Sequence, residues 1–149
     1  MKKLTGFIII LVLALFLTAC GSVSTRTFEL EQDGIVTKMV YTTKGDKVTK
    51  QTTENIIQYD LAGIPSKVEA QELFAPLVKQ FQDIDGVTHD LEYEDSKAIE
   101  TLAIDYEVAN YDDIKRLPGM EFSEDPKDKG VSMKKSIEIL ESQGFKEVK

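Results

Sequence analysis

Leu17-Thr18-Ala19-Cys20 is the one complete chemical motif in this chain. It closes an apolar run that begins shortly after Lys2-Lys3, which is the pattern of a bacterial lipobox. Sulfur is needed because a thiol accepts the diacylglyceryl group. Small neighbours are needed so that a membrane-embedded peptidase can close on the chain and cut between Ala19 and Cys20. A charged start, a short apolar core and the small residues Ala19, Gly21 and Ser22 make a secretory leader rather than a fold element. The apolar run is also shorter than the ~20 residues that span a bilayer. The expected product begins at Cys20, carries diacylglycerol on its sulfur and has an amino group open to N-acylation. Each buried methylene contributes ~0.8 kcal/mol, so one acyl chain anchors marginally and two or three anchor durably. No cofactor is expected besides this lipid.

Other residues could do chemistry but lack complete partners. His89 is the single histidine, with Asp85, Asp90 and Glu92 close in sequence. Strand alternation sends His89 and Asp90 to opposite faces, so a solvated strand histidine is expected. Asp83-Ile84-Asp85-Gly86 resembles part of a calcium loop, and Glu94 stands at the twelfth position. The third oxygen ligand is missing at the usual spacing, so the segment reads as a helix end and a turn, and no metal site is assigned. Glu92, Glu94, Asp105 and Glu107 could line one face of paired strands. Two close carboxylates work as acid and base when their surroundings separate their pKa values. Exposed acids on a wet sheet are far commoner, and no catalytic residue is assigned.

Lys44-Gly45-Asp46-Lys47 is too short and wrongly spaced to cradle phosphate, and reads as a hairpin turn. Lys134 and Lys135 fall in the first turn of an expected helix, where the helix dipole disfavours cations. A local rule broken without evident compensation marks a candidate interaction site. Tyr41, Lys44, Lys50 and Thr52 are the candidate contact residues on the exposed face of a meander. There is no nucleophile elbow, and Cys20 is the only cysteine, so neither serine nor dithiol chemistry is indicated.

The elements that would position these residues follow from periodicity. Phe28 and Leu30 alternate with Thr27, Glu29 and Glu31, which is a strand. Asp33-Gly34 is a strong hairpin signal. A second strand is expected over 35–43 and a Thr-rich third over 48–59. Ser66 and Glu69 form a capping box for a helix whose stripe is Leu73, Phe74, Leu77, Val78 and Phe81. Pro76 predicts a kink or break in it, and Asp85-Gly86 its end. Strands four and five are expected over 87–94 and 98–108. Asn110 caps a short helix, 121–130 reads as a loop, and a last helix starts at Ser132 with Met133, Ile137 and Leu140 inward. Gly144 and Phe145 fit a Schellman ending. Strand runs followed by helices imply an α+β domain: a mostly antiparallel sheet, built from a β-meander plus a hairpin, with helices packed on one face. The expected organisation is a leader over 1–19, a lipidated tether over 20–25 and one domain over 26–149.

Removing the leader takes away Lys2 and Lys3 and no acid, so the formal charge falls from −8 to −10. That excludes nucleic acid as a natural partner and argues against charge-driven adsorption to anionic lipid. With Cys20 lipidated no disulfide can form, so stability must come from a packed core.

The chain resembles the YehR-like family of small bacterial lipoproteins. The likeness is carried by the Cys20 lipobox, Tyr41-Thr42-Thr43-Lys44-Gly45-Asp46-Lys47-Val48-Thr49-Lys50-Gln51-Thr52, Gly86-Val87, Ile104-Asp105-Tyr106, and the stretch from Ser132-Met133-Lys134-Lys135-Ser136 to Gly144-Phe145. It covers nearly all of the mature chain. The resemblance implies a compact α+β fold and placement in the cell envelope, and it supplies no catalytic residues. The expectation is a non-enzymatic binding or interaction module, held by lipid at the extracytoplasmic face of a bacterial membrane, with an envelope protein as candidate partner. The alternatives are a small-ligand or metal-binding envelope protein, and an envelope hydrolase using paired carboxylates.

Overall fold

A computed structural model of the chain describes residues 21–122 and 125–149. The leader, Ala19 and Cys20 lie outside the described residues. The period-two stretches form β1 (Val23–Gln32), β2 (Ile35–Lys44) and β3 (Lys47–Gln58). Asp33 and Gly34 turn the first hairpin with φ of 52° and 77°, the left-handed conformation a tight two-residue turn requires. There follow α1 (Lys67–Gln80), β4 (Val87–Tyr93), β5 (Lys97–Asp105), α2 (Tyr111–Ile114), α3 (Pro126–Lys129), β6 (Val131–Ser132), α4 (Met133–Ser142) and β7 (Lys146–Val148). The sheet runs β4-β5-β3-β2-β1-β7 with β6 beside β3, and its pairings are antiparallel. This is the α+β architecture the alternation implied.

Register sorts the two faces. Phe28, Met39, Thr53, Leu102 and His89 stand in one row across five strands, and Thr27, Val40, Thr52, Ala103 and Thr88 in the neighbouring row on the other face. The core lies on the first face, where Phe28, Tyr41, Leu102 and Ile104 meet Phe81, Ile114, Leu117, Val131, Met133 and Leu140. Among the described residues the helices therefore cover one side only. Phe28 and Ile104 are fully buried, and each such side chain contributes ~1.5–3 kcal/mol.

Several boundaries differ from the sequence reading. β1 begins at Val23, so part of the expected tether lies within the sheet. α1 is capped by Ser66 as expected, but it runs through Pro76 to Gln80 without a break. The packing of Phe74, Leu77 and Phe81 against the sheet side offsets the one hydrogen bond that proline forfeits. The helix then stops well before Gly86, and Leu73 is 60% exposed while Ala70 takes the inward position. β5 stops at Asp105 because the N–H groups of Val108 and Ala109 both turn back to its carbonyl. The segment 121–130 contains α3, capped by Asp125 with Pro126 in its first turn. At the C-terminus Phe145 N–H donates to the Leu140 carbonyl and Gly144 N–H to that of Glu141, the expected Schellman pair. The last short strand is then pinned to β1 by Arg26, whose guanidinium grips both oxygens of Glu147 at 2.7 and 2.6 Å.

Candidate functional site

A cavity of about 330 Å³ lies between the inner sheet face and the helices. Its walls are apolar: Met39, Leu77, Phe81, Leu102, Met120 and Phe145. Its floor is polar: Thr37, Gln51, Thr53, Asn55 and Glu100. Register builds that floor, because Thr37, Asn55 and Glu100 face one another across β2, β3 and β5. Thr37 Oγ1 donates to Asn55 Oδ1 at 2.7 Å, and Asn55 Nδ2 donates to Glu100 Oε2 at 2.7 Å. The other Glu100 oxygen meets His89 Nε2 at 2.8 Å. A second chain runs alongside: Tyr106 Oη donates to Gln51 Oε1 at 2.7 Å, and Gln51 Nε2 donates to Thr53 Oγ1 at 3.2 Å. An apolar chamber with a few converging polar groups is the usual form of a small-ligand site.

His89 is a correction to the sequence reading. Its side chain is only 3% exposed, stacked on Phe81 with ring centroids 4.3 Å apart. Alternation correctly separates it from Asp90, but the face it occupies is the covered one. Its partner Glu100 sits diagonally across the strand pair. Among the described residues no cluster of His, Cys, Asp and Glu could hold a metal ion. Asp83 to Gly86 form part of the connection from α1 to β4, with Asp83 at φ 58° and Gly86 at 74°. A Cβ on Gly86 would stand 2.7 Å from the Ala109 nitrogen and 2.9 Å from the Asp105 carbonyl, so close packing explains the glycine.

The four candidate carboxylates do not converge. Glu92 pairs in register with Ile99, six residues from Asp105, a separation of ~20 Å along the strand. Glu94 pairs with Lys97, Asp105 with Lys50 and Glu107 with Lys44, all at the surface. The Glu107 N–H and the Lys50 ammonium hold the Asp105 carboxyl below its usual pKa range. That favours a permanent charge over a proton shuttle.

The candidate contact residues divide. Tyr41 is buried at 4% exposure on the inner face, so it cannot be part of a contact surface. Burial pushes its phenol pKa upward. Lys44, Lys50 and Thr52 are exposed. Lys134 is exposed and Lys135 half-buried. The compensation for their place at a helix start is Asp46. Its carboxylate accepts from Ser132 Oγ at 2.6 Å and from Lys134 N–H at 2.8 Å, while its carbonyl accepts from Met133 N–H at 2.7 Å. Those bonds lower the Asp46 pKa, chiefly the one from Ser132. The β2–β3 turn is thus also a clamp on α4. Asp46, Glu100, Asn55 and Gln51 escaped the sequence reading. The available signal was Gln51, Thr53 and Asn55 at alternate positions of one strand, a polar run on a face that the adjoining strands fill with Phe28, Met39 and Leu102.

Comparison with known proteins places this fold. A family model described as "Protein of unknown function (DUF1307)" matches residues 24–146. The chain belongs to that family. It is 46% identical to the uncharacterized lipoprotein Lin0239 of Listeria innocua, over 99% of this chain and 97% of that protein. It is 32% identical to the uncharacterized lipoprotein YehR of Escherichia coli, with the same coverage. The NMR structure of YehR superposes with a TM-score of 0.74 at 31% identity, covering 87% of this chain and 93% of that one. An NMR structure from Streptococcus pneumoniae shares the fold at a TM-score of 0.58 and 14% identity, covering 99% of this chain and 98% of that one. The relatives are lipoproteins by name, and this family member is a membrane-anchored lipoprotein. No helix among its described residues is long and apolar enough to cross a membrane.

Proposed function

We propose that this lipoprotein is a non-enzymatic binding module displayed at the extracytoplasmic face of the membrane, and that the chamber between sheet and helices is its binding site. The observation that carries the reading is the polar floor of Thr37, Asn55 and Glu100 beneath apolar walls. Such a site takes a small amphipathic molecule, with its apolar body against Met39, Met120 and Phe145 and its polar atoms toward the floor. Cys20 holds the module to the membrane by its lipid. The separation of Glu92 from Asp105, and the lysine partners of Asp105 and Glu107, favour binding over carboxylate catalysis.

The test uses N-phenyl-1-naphthylamine, a neutral amphipathic fluorophore, titrated into the full protein. Saturable uptake by the natural chain, lost in Thr53→Phe where the new ring fills the chamber, supports the reading. Equal uptake by both proteins, or none by either, refutes it. A protein partner on the uncovered sheet face is the second reading, favoured by the exposure of Lys50 and Thr52 on the side that carries no helix. Crosslinking from Thr52→Cys in intact cells would capture one specific neighbour if that reading holds.

A further inference from the structure

The total charge of the chain hides its distribution. One end of the sheet gathers the start of β1, the β2–β3 turn, β6 and the start of α4. Lys44, Lys47, Lys50, Lys129, Lys134 and Lys135 surround it. Carboxylates stand among them and are engaged: Asp46 by Ser132 and Lys134 N–H, Asp105 by Lys50, Glu107 by Lys44, Asp125 by Lys115, and Glu121 by the Gln143 amide. Lys47, Lys129 and Lys134 make no ion pair among the described residues. The opposite end is acidic, with Glu31, Asp33, Asp60, Glu94 and Asp95 around the other turns and Lys97 among them.

The basic end is also the tethered end. β1 starts at Val23, and the Ser22 carbonyl accepts from Gly45 N–H in the β2–β3 turn. Two peptide links separate Ser22 from Cys20, a reach of no more than ~8 Å. A lipid at Cys20 therefore brings this end, and no other, against the headgroups. Val23 and Val108, 64% and 62% exposed, stand on the same end, the latter beside the Lys44–Glu107 pair.

We infer that the tether end is a membrane-docking surface: its lysines rest on anionic phospholipid headgroups and hold the domain upright, with the acidic end pointing away. The inference rests on the reading of Cys20 as the lipid attachment point. Tethering supplies the local concentration, and the lysine-phosphate attraction supplies the orientation, which acts within a Debye length of the surface. Net charge argued against an anionic lipid face, and the placement of that charge reverses the argument at this one end.

The test uses the full chain, matured in a bacterial host and reconstituted into phosphatidylcholine vesicles with and without phosphatidylglycerol. A fluorophore is placed on Val108→Cys at the tether end or on Leu61→Cys at the far end, both more than half exposed. Quenching by headgroup nitroxide lipids reports depth. The expected result is quenching severalfold stronger at 108 than at 61 when phosphatidylglycerol is present. That difference should shrink without phosphatidylglycerol, in the Lys47→Gln, Lys134→Gln double variant, and in ~1 M salt, where screening falls to ~3 Å. Equal quenching at both positions overturns the inference. So does a difference that ignores lipid charge, salt and the two lysines, since orientation would then come from the tether alone. A chain that fails to float with vesicles, and shows an unmodified thiol by mass, fails the anchor reading and takes this inference with it. A chain that floats but shows no orientation fails the inference alone.

Discussion

Glu100 and Asp105 stand five residues apart on β5, and an odd spacing puts them on opposite faces of the sheet. Glu100 lies under the helices, with one oxygen on Asn55 and the other on His89. Asp105 lies at the rim, held by its own turn and by a lysine. The residue class is the same and the dielectric surroundings differ. A buried carboxylate depends on every partner it has, while an exposed one exchanges its partners for water at little cost.

The sharpest way to break this comparison is Glu100→Ala. It leaves His89 and Asn55 without their acceptor in a covered site, and should cost ~3 kcal/mol in urea unfolding. Glu100→Gln, which keeps an acceptor for one of them, should cost less. A loss in Glu100→Ala no larger than that in Asp105→Ala would dissolve the distinction.

Asp46 sharpens the comparison from a third position, exposed yet wired into a helix start. Asp46→Ala should cost ~1 kcal/mol, the usual worth of a helix-capping acceptor, and Asp46→Asn rather less. Its folded pKa is depressed, so its contribution is present above the unfolded value of ~3.9 and fades as pH falls through the folded one. Acid titration of the unfolding midpoint should therefore show a component below about pH 4 that Asp46→Asn lacks.

Tyr41 carries the same logic to the alkaline side. Its pKa is raised by burial, so its neutral phenol supports folding fully below ~10, and that support is lost as pH rises toward the folded value. Among the described residues its hydroxyl reaches only the Met39 sulfur, at 3.8 Å. Tyr41→Phe should thus cost under ~1 kcal/mol at neutral pH and delay alkaline unfolding, read by circular dichroism across pH 9 to 12. The smallest effect belongs to Lys50→Ala or Asp105→Ala, which should leave the midpoint within experimental scatter.

The strands were legible where one face is wet. Phe28, Met39 and Tyr41 alternate with Thr27, Lys38 and Val40, and that period survives any detail of packing. Asp33-Gly34 and Gly144-Phe145 were legible because backbone sterics alone select them. The chamber was not legible, because period two says which residues share a face and not which face is covered. His89 therefore read as solvated until Phe81 was placed against it. Leu73 was placed on the inward stripe because the helical period was drawn one position too wide: Ala70, Phe74, Leu77 and Phe81 take the packed positions and leave Leu73 outside. Asp46 was invisible for another reason: its helix begins 87 residues later in the chain, and only the pairing of β6 with β3 brings the two together.

β1, the strand nearest Cys20 in the chain, is not an edge, since β2 flanks it on one side and β7 on the other. A pull on the chain ahead of Val23 runs along its length and loads both ladders in shear, with the Arg26–Glu147 grip added across the second. Hydrogen bonds stressed side by side yield together, whereas those at a hairpin end peel away one at a time. A force entering at this end of the chain thus meets two ladders loaded in shear and not a hairpin end that unzips.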